Sequence, residues 1–166
     1  MIVFHSQHLL SWTLPDTMRE EEPEGWPGVI HREGRTLMRV SERPDSERSG
    51  PVSRRSGGVF LNPAMSGSRT RSVLLLDYAM ESGMLGDGAV YALDGLSAGG
   101  LRARRWLNEL PVENARRLDV TISDLDSDAL SWAMGSHLEF PPMHGEGELS
   151  SSVGDLRKLV LSHGRH

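Results

Sequence analysis

The chain contains no cysteine. That excludes a disulfide framework, a thiolate nucleophile and any Cys-ligated zinc or iron–sulfur site. It also suits a reducing compartment. Long apolar runs are missing too. The stretch 73–76 is typical of the longest, against the ~20 residues a membrane-spanning helix needs. The opening MIVFHSQHLLSW has no basic start and is broken by polar residues, so no secretory signal is expected. An excess of positive charge is also absent: 18 Lys and Arg stand against 23 Asp and Glu, a formal net charge of -5. A protein that grips nucleic acid over its whole surface has the opposite balance, although a local basic patch is compatible with these totals. No P-loop, G-x-S-x-G or Ser–His–Asp pattern occurs, and the seven histidines are too scattered to suggest a metal site. The expectation is a soluble, cytoplasmic chain.

What is present fits one domain: 166 residues, 37% hydrophobic, with 18 Gly and 9 Pro marking many turns. Residues 1–27 have no clean period and carry an acidic run at 19–22. VIHREGRTLMRV (29–40) reads as a hairpin turning at Glu33-Gly34. Residues 41–58, rich in Ser, Arg, Pro and Gly, cannot bury a core and read as a mobile loop. The pattern therefore divides into an N-terminal extension, 1–58, and a main domain, 59–166.

In the main domain VFLNP is a short extended piece, and 68–81 a helix with Val73, Leu74, Leu76, Tyr78 and Met80 as its apolar set. AVYAL (89–93) is a buried strand, closed by the turn 94–100. Ala103, Trp106, Leu107 and Leu110 then share one helix face. Residues 118–122 form a second strand. Asp126 or Ser127 caps a helix whose apolar face is Leu130, Ala133, Met134 and Leu138, with Trp132 packing elsewhere or facing solvent. Residues 148–153 are a short third strand and 155–162 a last helix. Strands and helices alternating at this spacing predict an α/β fold with a parallel sheet.

Parallel sheets bind ligands beyond the carboxyl ends of their strands. DGLSAGG (94–100) stands at such an end, with the free N–H groups of a helix start behind it. Its glycines would let a ligand approach the backbone. Gly95, Gly99 and Gly100 do not match G-x-G-x-x-G, and Asp94 would repel a pyrophosphate. An acidic loop suits a cationic ligand such as S-adenosylmethionine (SAM), which carries an ammonium and a sulfonium. The second strand ends in SDLD, where a carboxylate can accept ribose hydroxyls. Asp124 is the first candidate and Asp126 the second.

Three blocks, VFLNPAMSGSRTRSV (59–73), ALDGLSAGGLRARRW (92–106) and SDLDSDAL (123–130), together resemble the tRNA guanosine-26 N2-dimethyltransferase family. That family shows V-F-Y-N-P…N-R-D-L-S-V, then D-A-L-S-A-S-G-[IL]-R, then N-D-[IL]-S, and the match covers roughly 29–166. The resemblance implies a Rossmann-like SAM-dependent methyltransferase fold with an N-terminal β-hairpin extension, and SAM as cofactor. It places Arg69 at or near the SAM carboxylate and Arg102 at the methionine end. Asp94, Ser97 and Gly99 fall in the cofactor loop, Asp124 on the ribose, and Asp155, in GDLRKLV, beside the adenine. Ala64, Ser66-Gly67-Ser68 and Thr70-Arg71 depart from the family pattern. The family's D-P-F-G catalytic motif does not occur before His166. The expectation is an incomplete sheet lacking its C-terminal strands, in the N-terminal part of a tRNA methyltransferase. That part would have no catalytic residue of its own, and tRNA would be held mainly by the absent portion. The basic cluster 102–105 reads as a solvated helix face, with contact to RNA as the alternative.

Overall fold

A computed structural model describes residues 23, 25–42, 59, 61–144 and 147–157. The expectations for 1–22, for most of the 41–58 loop and for the end of the last helix lie outside the described residues. Of that helix, Leu156 and Arg157 are described and are helical.

The hairpin is β1 (Val29–Glu33) and β2 (Thr36–Val40), antiparallel, with Glu33 paired to Thr36. The two turn residues are therefore Gly34 and Arg35, one position later than the sequence suggested. Gly34 takes φ 59°, which a residue with a Cβ rarely adopts. A Cβ at Gly34 would also meet the Glu109 carboxylate at 2.2 Å, so the turn sits directly on that side chain.

The main body holds α1 (Ser66–Glu81), β3 (Val90–Gly95), α2 (Leu101–Glu109) and the short α3 (Val112–Ala115). They are followed by β4 (Leu118–Asp124), α4 (Ser127–Glu139) and β5 (Glu148–Val153). The strands form a parallel sheet in the order β3-β4-β5. This α/β arrangement is compatible with part of a Rossmann-like fold. Residues 61 and 62 are not paired as a strand; they lead into a 3-10 turn, Pro63–Met65, where the Asn62 side chain accepts from the Ala64 N–H. Asp126 caps α4, accepting from the N–H groups of Asp128 and Ala129.

Alternation along the strands fixes the layers. Val90 of β3 and Leu118, Val120 and Ile122 of β4 join Ala103, Trp106, Leu107, Leu110, Leu130 and Ala133 in one core. On the other side, Tyr91 is 80% exposed and Leu93 is also exposed. Helices thus cover one sheet face, and among the described residues the other is open. Parallel sheets are normally covered on both faces. Among the described residues β3 is also an outer strand with a free edge, and VYALDG carries no Lys or Pro to block further pairing.

Three burial expectations change. On α1, Val73 and Met80 are buried but Leu74 and Tyr78 are exposed, because α1 packs along α2 on one side only. On α4, Leu138 is 63% exposed. Trp132, whose place the sequence left open, is fully buried beneath the hairpin with Met38, Val59 and Leu101, and meets Trp26 edge-on at 5.0 Å. The hairpin therefore adds a second apolar layer outside the helices. Among the described residues, no helix is long and apolar enough to cross a membrane.

Leu107→Ala should lower stability by about 2–5 kcal/mol, since Leu107 is fully enclosed. Leu138→Ala should change it by no more than about 0.5 kcal/mol. Urea denaturation of both variants checks the assignment of helix faces.

Candidate functional site

Three carboxylates gather at neighbouring strand ends. Asp94 lies near the end of β3, Asp124 ends β4, and Asp155 follows β5. Parallel register sets Gly95 beside Ser123 and Asp124 beside Val153. The Gly154 N–H then donates to the Asp124 carbonyl at 2.9 Å, which brings Asp155 to the same rim. Asp155 itself accepts from the Arg157 backbone N–H and pairs with its guanidinium.

The loop between β3 and α2 is strained. Leu96 and Ala98 take positive φ, 58° and 46°, as does Gly100 at 66°. Such a conformation costs a non-glycine residue on the order of 1–3 kcal/mol and persists only where surroundings enforce it. Three hydrogen bonds do so here. Ser97 N–H donates to the Ser123 carbonyl at 3.0 Å, Gly100 N–H to the Ser97 carbonyl at 2.9 Å, and Ala98 N–H to Asp124 Oδ2 at 2.8 Å. Asp124 Oδ1 accepts from Asp126 N–H at 3.2 Å. Asp124 is thus an anchor of the loop, with one backbone donor on each oxygen and lone pairs left over. Asp126 is engaged as the α4 cap.

Packing, rather than open space for a ligand, explains Gly99. It is buried, and a Cβ there would meet Val59 at 2.4 Å and Met38 at 2.8 Å. The hairpin and the segment before α1 therefore press directly on the loop. A Cβ at Gly95 would meet Leu156 at 2.6 Å, so the chain after β5 closes over that residue.

Asp94 is 7% exposed, and its Oδ2 is buried without a hydrogen-bond partner. The Arg102 Nε stands 3.6 Å from Oδ1. Burial pushes the carboxyl up to about 6, and nearby Asp124 adds to this; Arg102, the Ala103 N–H and Arg69 oppose it. Asp94 is therefore a mostly ionised carboxylate at neutral pH with one oxygen awaiting a donor. The Ser97 and Ser123 hydroxyls are also buried without partners. Ser123 was not singled out in the sequence, where it is an ordinary strand serine; only the fold reveals its burial.

The arginines separate. Arg102 is partly exposed beside Asp94. Arg69 is buried: Nε and Nη2 donate to Glu33 at 2.7 and 2.5 Å, and Nη2 also to the Asn62 carbonyl at 3.1 Å. Arg105 is buried between Glu33 and Glu109, at 2.9 Å from the first and 2.6 and 2.8 Å from the second. Arg104 is fully buried, with Nη2 donating to the Phe140 carbonyl, and desolvation pulls it down to about 10. Residues 102–105 therefore do not form a basic helix face, and the alternative of a contact between this cluster and RNA fails for Arg104 and Arg105. Glu33 went unnoticed because it reads as a turn residue; nothing in the spacing from 33 to 69 announces a pair.

No family model matches the chain, and no curated protein matches it.

Asp94→Asn should stabilise the protein at pH 7. A carboxyl raised from 3.8 to about 6 opposes folding where it is ionised in both states, by up to about 3 kcal/mol. The penalty disappears below the unfolded value. The advantage of the variant, measured by urea titration, should therefore be full above pH 6 and fall towards zero by about pH 3.

Proposed function

We propose that the chain is the cofactor-binding front of a SAM-dependent tRNA guanosine N2-methyltransferase. The observation that carries the cofactor assignment is Asp94: a buried carboxylate with an unpartnered oxygen, at the mouth of a strained loop on a parallel strand end. A pyrophosphate would be repelled there, whereas an ammonium or sulfonium would supply the missing donor or counter-charge. SAM supplies a methyl group on a sulfonium. Asp94 would hold the cationic methionine end, with Arg102 beside it for the carboxylate. The free lone pairs of Asp124 would accept ribose hydroxyls, and Ser97 and Gly99 would shape the loop. Asp155, on the same rim, would face the adenine. Arg69, bound by Glu33, would act through its charge from behind the loop.

The choice of tRNA and of the guanine exocyclic amine rests on the three-block resemblance alone. That amine is a weak nucleophile, so a further segment must position it and take its proton. The sheet face and the β3 edge left uncovered among the described residues offer a place for such a segment to join. A second reading, another SAM-dependent methyltransferase or a noncatalytic relative of the same fold, draws on the same strand ends.

Titration calorimetry with SAM should show binding, and NADH should show no fluorescence enhancement; the reverse result would assign a dinucleotide. Asp124→Ala should weaken SAM binding, and an unchanged affinity would count against the site. Because the ligand selects ionised Asp94, affinity should fall on the order of 10-fold from pH 7 to pH 5.

A further inference from the structure

We propose that the chain pairs with a second copy of itself across the β3 edge, about a two-fold axis normal to the sheet. The proposal does not depend on the cofactor reading. Two surfaces on different elements carry it, and one axis serves both. The first is the strand edge. Among the described residues β3 is paired with β4 on one side only, and Tyr91 and Leu93 stand exposed on the uncovered face. An antiparallel β3–β3 pair would join two three-stranded sheets into one continuous sheet. Centred on Ala92, it sets Tyr91 opposite Leu93 of the second copy, an apolar cross-strand pair made twice.

The second surface is α1. Across the helix layer, α4 packs on β4 and β5, α2 on β4, and α1 on α2. Val73 and Met80 of α1 share a core with Val90, the first residue of β3. The order α4, α2, α1 therefore leaves α1 as the helix nearest the β3 edge. Its buried side, Arg69, Val73 and Met80, turns toward α2, whose Arg105 and Trp106 reach Thr70 and Ser72. At ~100° per residue, Arg71, Leu74, Tyr78 and Glu81 fall on the opposite side, and all four are exposed. They point away from α2, where a next helix in the layer would stand. The axis that pairs β3 with β3 sets α1 antiparallel to its copy in that place. With Leu76 at the centre, Leu74 meets Tyr78 and Arg71 meets Glu81, each twice. The stripe begins on a base, ends on an acid and is apolar between, so it is complementary to its own reverse. A parallel copy would set Arg71 against Arg71 and Glu81 against Glu81. This charge order favours a second copy as the occupant. A segment within the chain that joined β3 would exclude the copy and keep the chain monomeric.

Sedimentation velocity on the full chain, over a range of concentrations, should show a change from the mass of one chain to that of two. Amide exchange along β3 should slow as the dimer forms. Arg71→Glu and Glu81→Arg should each raise the dimer Kd on the order of 10-fold, since two opposite-charge contacts become like-charge contacts. An equimolar mixture of the two variants restores both pairs in a heterodimer, and its Kd should return to near the wild-type value. Tyr91→Lys, a charge set on the edge strand, should also weaken the dimer. These positions are exposed, so circular dichroism should be unchanged. If Glu81→Arg unfolds with loss of its contact to Asn114, Arg71→Glu and Tyr91→Lys still decide the matter. The proposal is overturned by a chain that stays monomeric throughout, by assembly beyond two copies, or by a dimer that ignores the charge variants. A mixture no tighter than the single variants, or β3 exchange that does not slow on dimerisation, would overturn it equally.

Discussion

Two guanidinium groups, Arg69 and Arg105, have been taken out of water, and the fold is arranged around answering them. Glu33 comes from the hairpin and Glu109 from α2; Arg69 comes from α1 and Arg105 from α2. Each carboxylate oxygen accepts at least one charged N–H, and the Asn62 and Ser66 carbonyls and the Thr70 hydroxyl accept further ones. Deleting one partner of such a group typically costs about 3–5 kcal/mol, because the other is left buried and unpaired. The array therefore locks the hairpin, α1 and α2 into one relative placement. The apolar contacts of Met38, Val59, Leu101 and Trp132 then fill the layer that this placement creates.

That placement determines the strand-end rim. The loop after β3 is held against its own backbone preferences at Leu96 and Ala98 by Asp124, Ser123 and the hairpin behind it. Asp94 opens the loop and carries a desolvation penalty. A rim that costs the free protein stability is a common companion of binding, since a ligand can recover what the empty site forgoes. The same carboxylate that strains the free fold is the one that the proposed reading assigns to a cation.

Much of the local architecture was legible in the sequence because it follows from short-range rules. The face Ala103, Trp106, Leu107, Leu110 repeats at helical spacing, and all four are buried. The third strand lies at 148–153 as read, and Asp126 caps α4 as one of two options. What was not legible depends on contacts distant in sequence. Leu74, Tyr78 and Leu138 are apolar and periodic, but their faces meet no partner among the described residues. Trp132 is buried because a hairpin a hundred residues away covers it. The glycines of the loop were visible, but the reason for Gly99 was not: it makes room for Met38 and Val59. Arg69 was singled out by resemblance and Asp94 by its charge at the head of the loop, and only the fold showed Glu33 standing behind the first and an unpartnered oxygen on the second.

The free edge of β3 has a consequence for how the molecule lives in solution. Among the described residues, its backbone donors and acceptors are matched on one side and bare on the other, beside Tyr91 and Leu93. An unguarded edge of this kind recruits whatever extended polypeptide reaches it. Intramolecular capture is independent of how much protein is present, whereas capture by a neighbour grows with crowding. Where such an edge stays open, self-association would rise with protein concentration.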